Sequence, residues 1–273
     1  MLESREEPSF EIAKMTATEL QRFARCQLAD YDSRVPGTMF ADGGGALTIE
    51  DAYRLQIETA RLRSMRGEAI AGYKIGCVSP AVRRQLGLTD AVFGHVFQSE
   101  IRPNRSVLPN NEFDCLAIEG EIAVTLTEDV RDPEVLRDIP RQYVSAVFPI
   151  IELHNYVVRG PELHAVELIA NNAFHAGIVV PETNKVGVGP EVLEISVAIN
   201  GEQMGVASLD PFSTLYELAQ LLRVFGISLR QGQIVLTGSP LPLYPVDEGD
   251  GISISCSTVG EVTAIVGRNG GAN

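Results

Sequence analysis

Tryptophan is absent from this 273-residue chain and aromatic residues make up only 6% of it, so stacking platforms for nucleic-acid bases or sugar rings are scarce. Basic residues are also in deficit: 22 Lys and Arg stand against 36 Asp and Glu, a formal net charge of -14. Such a charge repels phosphate backbones and anionic membranes, so nucleic acid and membrane surfaces are not expected partners. A small anionic substrate would need a local positive centre. The four cysteines, Cys26, Cys77, Cys115 and Cys256, show no CxxC or CxxH spacing, and neither a disulfide framework nor a zinc site is expected. No apolar run reaches the length of a membrane span. The polar, acidic opening stretch from Met1 to Pro8 reads as carrying no signal peptide, and a reducing cytoplasm is the expected location.

What is present is enough apolar material for a full core: 45% of residues are hydrophobic, which suits one large domain or a domain with a smaller appendage. Thr16 to about Leu28 and Thr48 to about Arg66 carry apolar residues at helical spacing, Thr48 with the acids after it resembling an N-cap. Between them, Asp32 to Gly37 and Ala41 to Gly45 are loop chemistry. Later segments favour strands: Ala69 to Val78, Phe93 to Phe97, Ile118 to Leu126, Ala146 to Leu153, Ile178 to Val180, and a Leu193–Ile199 strand followed by an Asn200-Gly201 hairpin signal. Helices are expected at Leu163 to Asn172 and Pro211 to Phe225. This predicts an α+β fold, divided into a helical N-terminal cap at residues 1–68 and a β-rich domain at 69–273.

Chemistry concentrates in Ile118-Glu119-Gly120-Glu121-Ile122. In a strand, residues i and i+2 share a face, so Glu119 and Glu121 lie side by side while Ile118 and Ile122 point the other way. Buried like charges tolerate each other only if one is protonated or a cation lies between them, and hard divalent ions such as Mg²⁺ or Mn²⁺ take oxygen ligands. Glu152, near the end of another apolar run, is the candidate third carboxylate. The same Glu-x-Glu spacing also fits the solvated face of an edge strand. Lys74, inside an apolar strand between Gly72 and Gly76, either snorkels to solvent or is held near an anion. Asn171-Asn172 reads as a turn, with buried ligation of a carboxylate as the alternative. His95, His154 and His175 each lie near these stretches and titrate in the range useful for acid–base work.

These residues, taken in order, resemble the 2-keto-4-pentenoate hydratase and 4-oxalocrotonate decarboxylase family of the fumarylacetoacetate hydrolase superfamily, from about Thr48 to Val266. The matching stretches are Gly72-Tyr73-Lys74-Ile75-Gly76, Gln85-Leu86-Gly87-Leu88 with Phe93-Gly94, Ile118 to Ala123, Pro149-Ile150-Ile151-Glu152, and Leu229 to Ser239. The resemblance implies a mixed-sheet, barrel-like catalytic core with a helical N-terminal region. It also implies Mg²⁺ or Mn²⁺ on Glu119, Glu121 and Glu152, and a 2-oxo acid substrate chelating that ion. Lys74 would add positive charge beside the substrate, and Asn171, Asn172 and Ser239 are the substrate-binding candidates. A homo-oligomer is implied, with a complex with a homologous lyase as a further possibility.

Three positions depart from the family pattern. Hydratases carry an aspartate immediately before Phe-Gly where this chain has Val92; decarboxylases have an apolar residue there. Losing carbon dioxide needs an electron sink but no base to activate water, so Val92 favours decarboxylation. Asn171-Asn172-Ala173-Phe174 replaces Asp-Asn-Ala-Ser, and Asp210-Pro211 replaces His-Pro. His95, directly after Phe93-Gly94, is the candidate to stand in for the absent aspartate as a catalytic acid or base. The leading expectation is therefore a metal-dependent lyase that decarboxylates or hydrates a small unsaturated 2-oxo acid. An acylpyruvate-type C–C hydrolase and a non-catalytic subunit partnering an active homologue are the alternatives.

Overall fold

The computed structural model describes residues 14–33, 47–155, 163–182 and 192–267; the expected loop positions 34–37 and 41–45 lie outside them, while Asp32 and Ser33 belong to the first helix rather than to a loop. Two helices open the described chain, α1 (Ala17–Ser33) and α2 (Ile49–Met65). Thr48 caps α2, its side chain accepting from Asp51 N at 3.0 Å, and Glu50 and Asp51 in the first turn face the positive end of the helix dipole. The α1 helix runs five residues past the predicted Leu28 because its last turn finds tertiary partners. Tyr31 donates to Glu100 at 2.9 Å and lies under the Arg63 guanidinium.

β1 (Ile70–Gly76) leads to α3 (Pro80–Leu86), which Ser79 caps and Gly87 ends in the left-handed region at φ 66°. β2 (Val92–Phe97), β3 (Ile101–Pro103), β4 (Ser106–Leu108) and β5 (Leu116–Leu126) follow, then the short α4 (Glu134–Asp138) and β6 (Val144–Asn155). After α5 (Ala165–Ala170) comes β7 (His175–Val180). The remainder is β8 (Leu193–Ile199), β9 (Glu202–Leu209), α6 (Leu215–Val224), β10 (Ile234–Leu236), β11 (Tyr244–Pro245), β12 (Gly251–Cys256) and β13 (Gly260–Val266). Asn200 and Gly201 both take positive φ, 53° and 78°, as a type I′ hairpin turn requires.

Two expected helices are shorter than their periodicity suggests. Asp210 accepts from Phe212 N at 2.9 Å and turns the chain before α6 begins. α5 ends at Ala170 because Asn172, Ala173 and Phe174 all adopt positive φ, 56°, 52° and 56°. The three-residue strands β3 and β4 carry no readable alternation and were not expected.

One mixed sheet runs β2-β1-β10-β5-β6-β7-β3, with β11 alongside β5; a second runs β4-β13-β12-β8-β9. The sheets meet at Gly120, where a Cβ would lie 2.6 Å from Val197 Cγ2 and 3.0 Å from Ile254 Cδ1. This is why a glycine separates the two glutamates: the strand position between them presses into the second sheet. Ile118, Ile122 and Val124 are fully buried on that side with Val197 and Ile254, in the same apolar core as Ala52 and Leu55 of α2. Glu119 and Glu121 are thereby committed to the opposite face of the first sheet.

Candidate metal centre on the first sheet

Register brings the acids together. β5 and β6 pair antiparallel with Glu119 opposite Glu152, Ala117 opposite His154, and Glu121 opposite Ile150, so all of these side chains share one face. Lys74 pairs with Leu236, which pairs with Ala123, and this places the lysine on that face too. Its amine lies 2.6 Å from Glu152 Oε1, with both side chains buried. Lys74 does not snorkel: Gly94, directly opposite on β2, leaves room for its stem, since a Cβ there would lie 3.1 Å from Lys74 Cγ.

Glu152 is the hub. His175 Nδ1 lies 2.7 Å from the same Oε1, so that oxygen is claimed by two partners, while Oε2 has none. His154 Nε2, also without a hydrogen-bond partner, lies 3.4 Å from Glu152 Oε2 and 3.3 Å from Glu119 Oε2. The turn after β10 holds the remaining acid, Gly238 N donating to Glu121 Oε2 at 2.9 Å.

The electrostatics follow from burial among like charges. Burial, then the charges of Glu152 and Glu119, push the Glu121 carboxyl well above its ordinary range. Burial would do the same to Glu152, but Lys74 and His154 outweigh it and hold that carboxylate well below the ordinary range. Lys74 and His154 are both opposed by burial and raised by their carboxylate neighbours, Glu152 foremost. Three carboxylates around one lysine leave two negative charges uncompensated when all are ionised. That excess, together with the unpartnered Glu152 Oε2 and His154 Nε2, fits a divalent cation held chiefly by oxygen. Glu119, Glu152 and His154 each offer a donor atom within 4.8 Å of the others.

The other expected site residues fall elsewhere. His95 pairs with Tyr73, not with Lys74, and so lies on the opposite face of β2. Its ring sits among Tyr73, Phe93 and Phe97, at centroid separations of 5.2, 5.9 and 6.3 Å. Burial depresses its pKa to about 4. Asn172 uses its side-chain amide on the backbone of His95, accepting from N at 2.7 Å and donating to O at 2.9 Å, and so fastens the β2 edge to the turn before β7. Asn171 accepts from Gln27 of α1 at 2.9 Å and donates to Glu167 O. Ser239 Oγ donates toward Gly120 O at 3.1 Å and accepts from Leu241 N, holding the turn that positions Glu121. Each has a structural task in the chain. Asn171, Asn172 and His175 also line a cavity of about 500 Å³ beneath α1 and α2, with Arg63 and Glu100, while the carboxylates at the hub lie outside it.

His154 is not among the ligands that the sequence suggests, although the i, i+2 rule that joins Glu119 to Glu121 also joins Glu152 to His154. Val92 pairs with Gly76, on the Lys74 face. A Cβ on Gly76 would touch both Val92 Cγ2 at 3.4 Å and Lys74 Nζ at 3.9 Å, so the valine and the lysine flank the same glycine on one face.

A two-sheet α+β fold with a buried lysine, three acids and two histidines gathered on strands defines the class. Residues 75–267 match the fumarylacetoacetate (FAA) hydrolase C-terminal family, and the chain belongs to that family. It is 28% identical over 221 residues to a 2-hydroxyhexa-2,4-dienoate hydratase of Comamonas testosteroni, covering 77% of this chain and 83% of that protein. It is 27% identical over 225 residues to a 4-oxalocrotonate decarboxylase of Pseudomonas putida, covering 80% and 85%. The solved 4-oxalocrotonate decarboxylase from Pseudomonas putida G7, complexed with magnesium and adipate, superimposes with a TM-score of 0.83 over 93% of this chain and 99% of that one. At 22% identity this shows the shared fold. Among the described residues no helix is long and apolar enough to cross a membrane.

Proposed function

We propose that the chain is a divalent-metal-dependent lyase that decarboxylates a small unsaturated 2-oxo acid of the 4-oxalocrotonate type. The observation that carries this reading is Val92, an apolar side chain set beside Lys74 on the carboxylate face, where a hydratase of this kind would place a proton-handling aspartate. His95, on the opposite face, does not replace it. Relatives named as hydratases and as a decarboxylase support the substrate class.

Glu119, Glu121 and Glu152 would hold Mg²⁺ or Mn²⁺, which when bound supplies Lewis-acid polarisation of a keto oxygen. Lys74 fixes the orientation of Glu152 through its 2.6 Å contact and contributes a permanent positive charge to the same face. In the reaction, the bond to the departing carboxylate breaks and its electron pair moves along the conjugated chain toward the keto oxygen. Positive charge aimed at that developing negative charge lowers the barrier. Val92 keeps its part of the lysine face apolar, disfavouring a positioned water there. The four cysteines are unpaired, which suits a cytoplasmic location, and self-association into a homo-oligomer goes with the family resemblance.

The test is NMR of purified protein with Mg²⁺ or Mn²⁺ and, separately, 4-oxalocrotonate, a 2-hydroxydienoate and an acylpyruvate. Carbon dioxide release without a 4-hydroxy-2-oxo acid is expected. Hydrated product would replace the decarboxylase reading with a hydratase, cleavage of the acylpyruvate with a hydrolase, and no turnover of any of the three with a non-catalytic subunit.

A further inference from the structure

The geometry points to His154 as a fourth protein ligand of the metal centre, turning an all-carboxylate site into a mixed oxygen–nitrogen one that prefers Mn²⁺ or a later first-row divalent ion over Mg²⁺. This rests on the reading that the carboxylates of β5 and β6 hold a divalent cation. His154 is buried, at 6% exposure, and its Nε2 has no hydrogen-bond partner. That atom lies 3.3 Å from Glu119 Oε2 and 3.4 Å from Glu152 Oε2, longer than the ~2.7–2.9 Å of a charge-assisted N–H···O bond. Glu152 presents the same signature from the other side. Lys74 and His175 occupy its Oε1, and its Oε2 is left without a partner.

An imidazole that merely bridged two carboxylates would close at least one of these contacts into a hydrogen bond. Donor atoms a little over 3 Å apart around a shared space instead suit adjacent corners of a coordination sphere with bonds of ~2.1 Å. The chemical consequence follows from ligand type. Magnesium prefers oxygen and gives up water reluctantly, whereas imidazole nitrogen suits manganese, iron, cobalt and zinc increasingly well along the first row.

The test uses the full-length chain, freed of metal by chelator and titrated calorimetrically with Mg²⁺, Mn²⁺ and Co²⁺, as wild type, His154→Leu and Glu119→Gln. His154→Leu should weaken Co²⁺ and Mn²⁺ by ~10-fold or more while Mg²⁺ changes by less than ~3-fold; Glu119→Gln should weaken all three. Independently of any variant, pulsed EPR of the Mn²⁺-loaded wild type, grown with ¹⁵N-histidine, should show hyperfine coupling to a directly bound nitrogen. Tight ion binding that depends on Glu119 but lacks that coupling, or an equal effect of His154→Leu on all three ions, overturns the His154 assignment and leaves the carboxylate site standing. Failure of the wild type to bind any of the three overturns both.

Discussion

Two histidines on the first sheet are buried almost equally, His154 at 6% exposure and His95 at 2%, yet they are driven in opposite directions. On the carboxylate face, the charges of Glu152 and Glu119 overcome burial and raise His154. On the helix-covered face, His95 sits among aromatic rings, and burial brings it to about 4. Burial alone always disfavours an imidazolium; neighbouring carboxylates decide whether that cost prevails. The contrast divides the sheet by chemistry: one face concentrates charge around a buried lysine, and the other uses polar atoms to close the fold.

The sharpest way to break this division is at its hub. Glu152→Ala removes the counter-charge of a lysine whose side chain is only 2% exposed, so stability should fall by about 3–5 kcal/mol. Turnover should fall on the order of 10³-fold. Urea unfolding and steady-state rates measure the two effects; full activity in this variant would remove the carboxylate face from the mechanism.

The opposite face should respond to acid. The folded His95 has a pKa of about 4, while an unfolded histidine titrates near 6.5. Between those values the unfolded chain binds the proton first. The contribution of His95 to stability is therefore complete above about pH 6.5 and lost as pH falls to about 4, roughly 3 kcal/mol in all. In urea unfolding, the loss of stability between pH 7 and pH 4 should be smaller in His95→Gln by that amount. Parallel slopes would mean that His95 is not buried as a neutral group.

A smaller effect is expected from Asn172→Ala, which deletes both bonds to the His95 backbone. Stability should drop by about 1–3 kcal/mol with metal affinity unchanged. A raised KM at undiminished stability would instead move Asn172 to the substrate.

How far these features could be read in advance depends on how local they are. Capping by Thr48 and the Asn200-Gly201 hairpin were legible, because each depends on a few consecutive residues. So was the pairing of Glu119 with Glu121, since alternation along one strand needs no partner. The glycine between them was visible, but its reason, contact with Val197 and Ile254, lies some 80 to 130 residues away in a second sheet.

By itself, then, the sequence determined the α+β class, the acidic strand, the lysine strand and the apolar replacement at Val92, all through local pattern and ordered motifs. Tertiary structure alone decided which residues share a face across strands. Register set Glu152 opposite Glu119 and brought His154 between them, and it turned His95 away from Lys74. It also gave Asn172 and Ser239 distant backbone groups to hold and Asn171 the Gln27 amide. The physical reason is that side-chain direction within a strand follows from a two-residue period, whereas the alignment between strands depends on long-range pairing and packing.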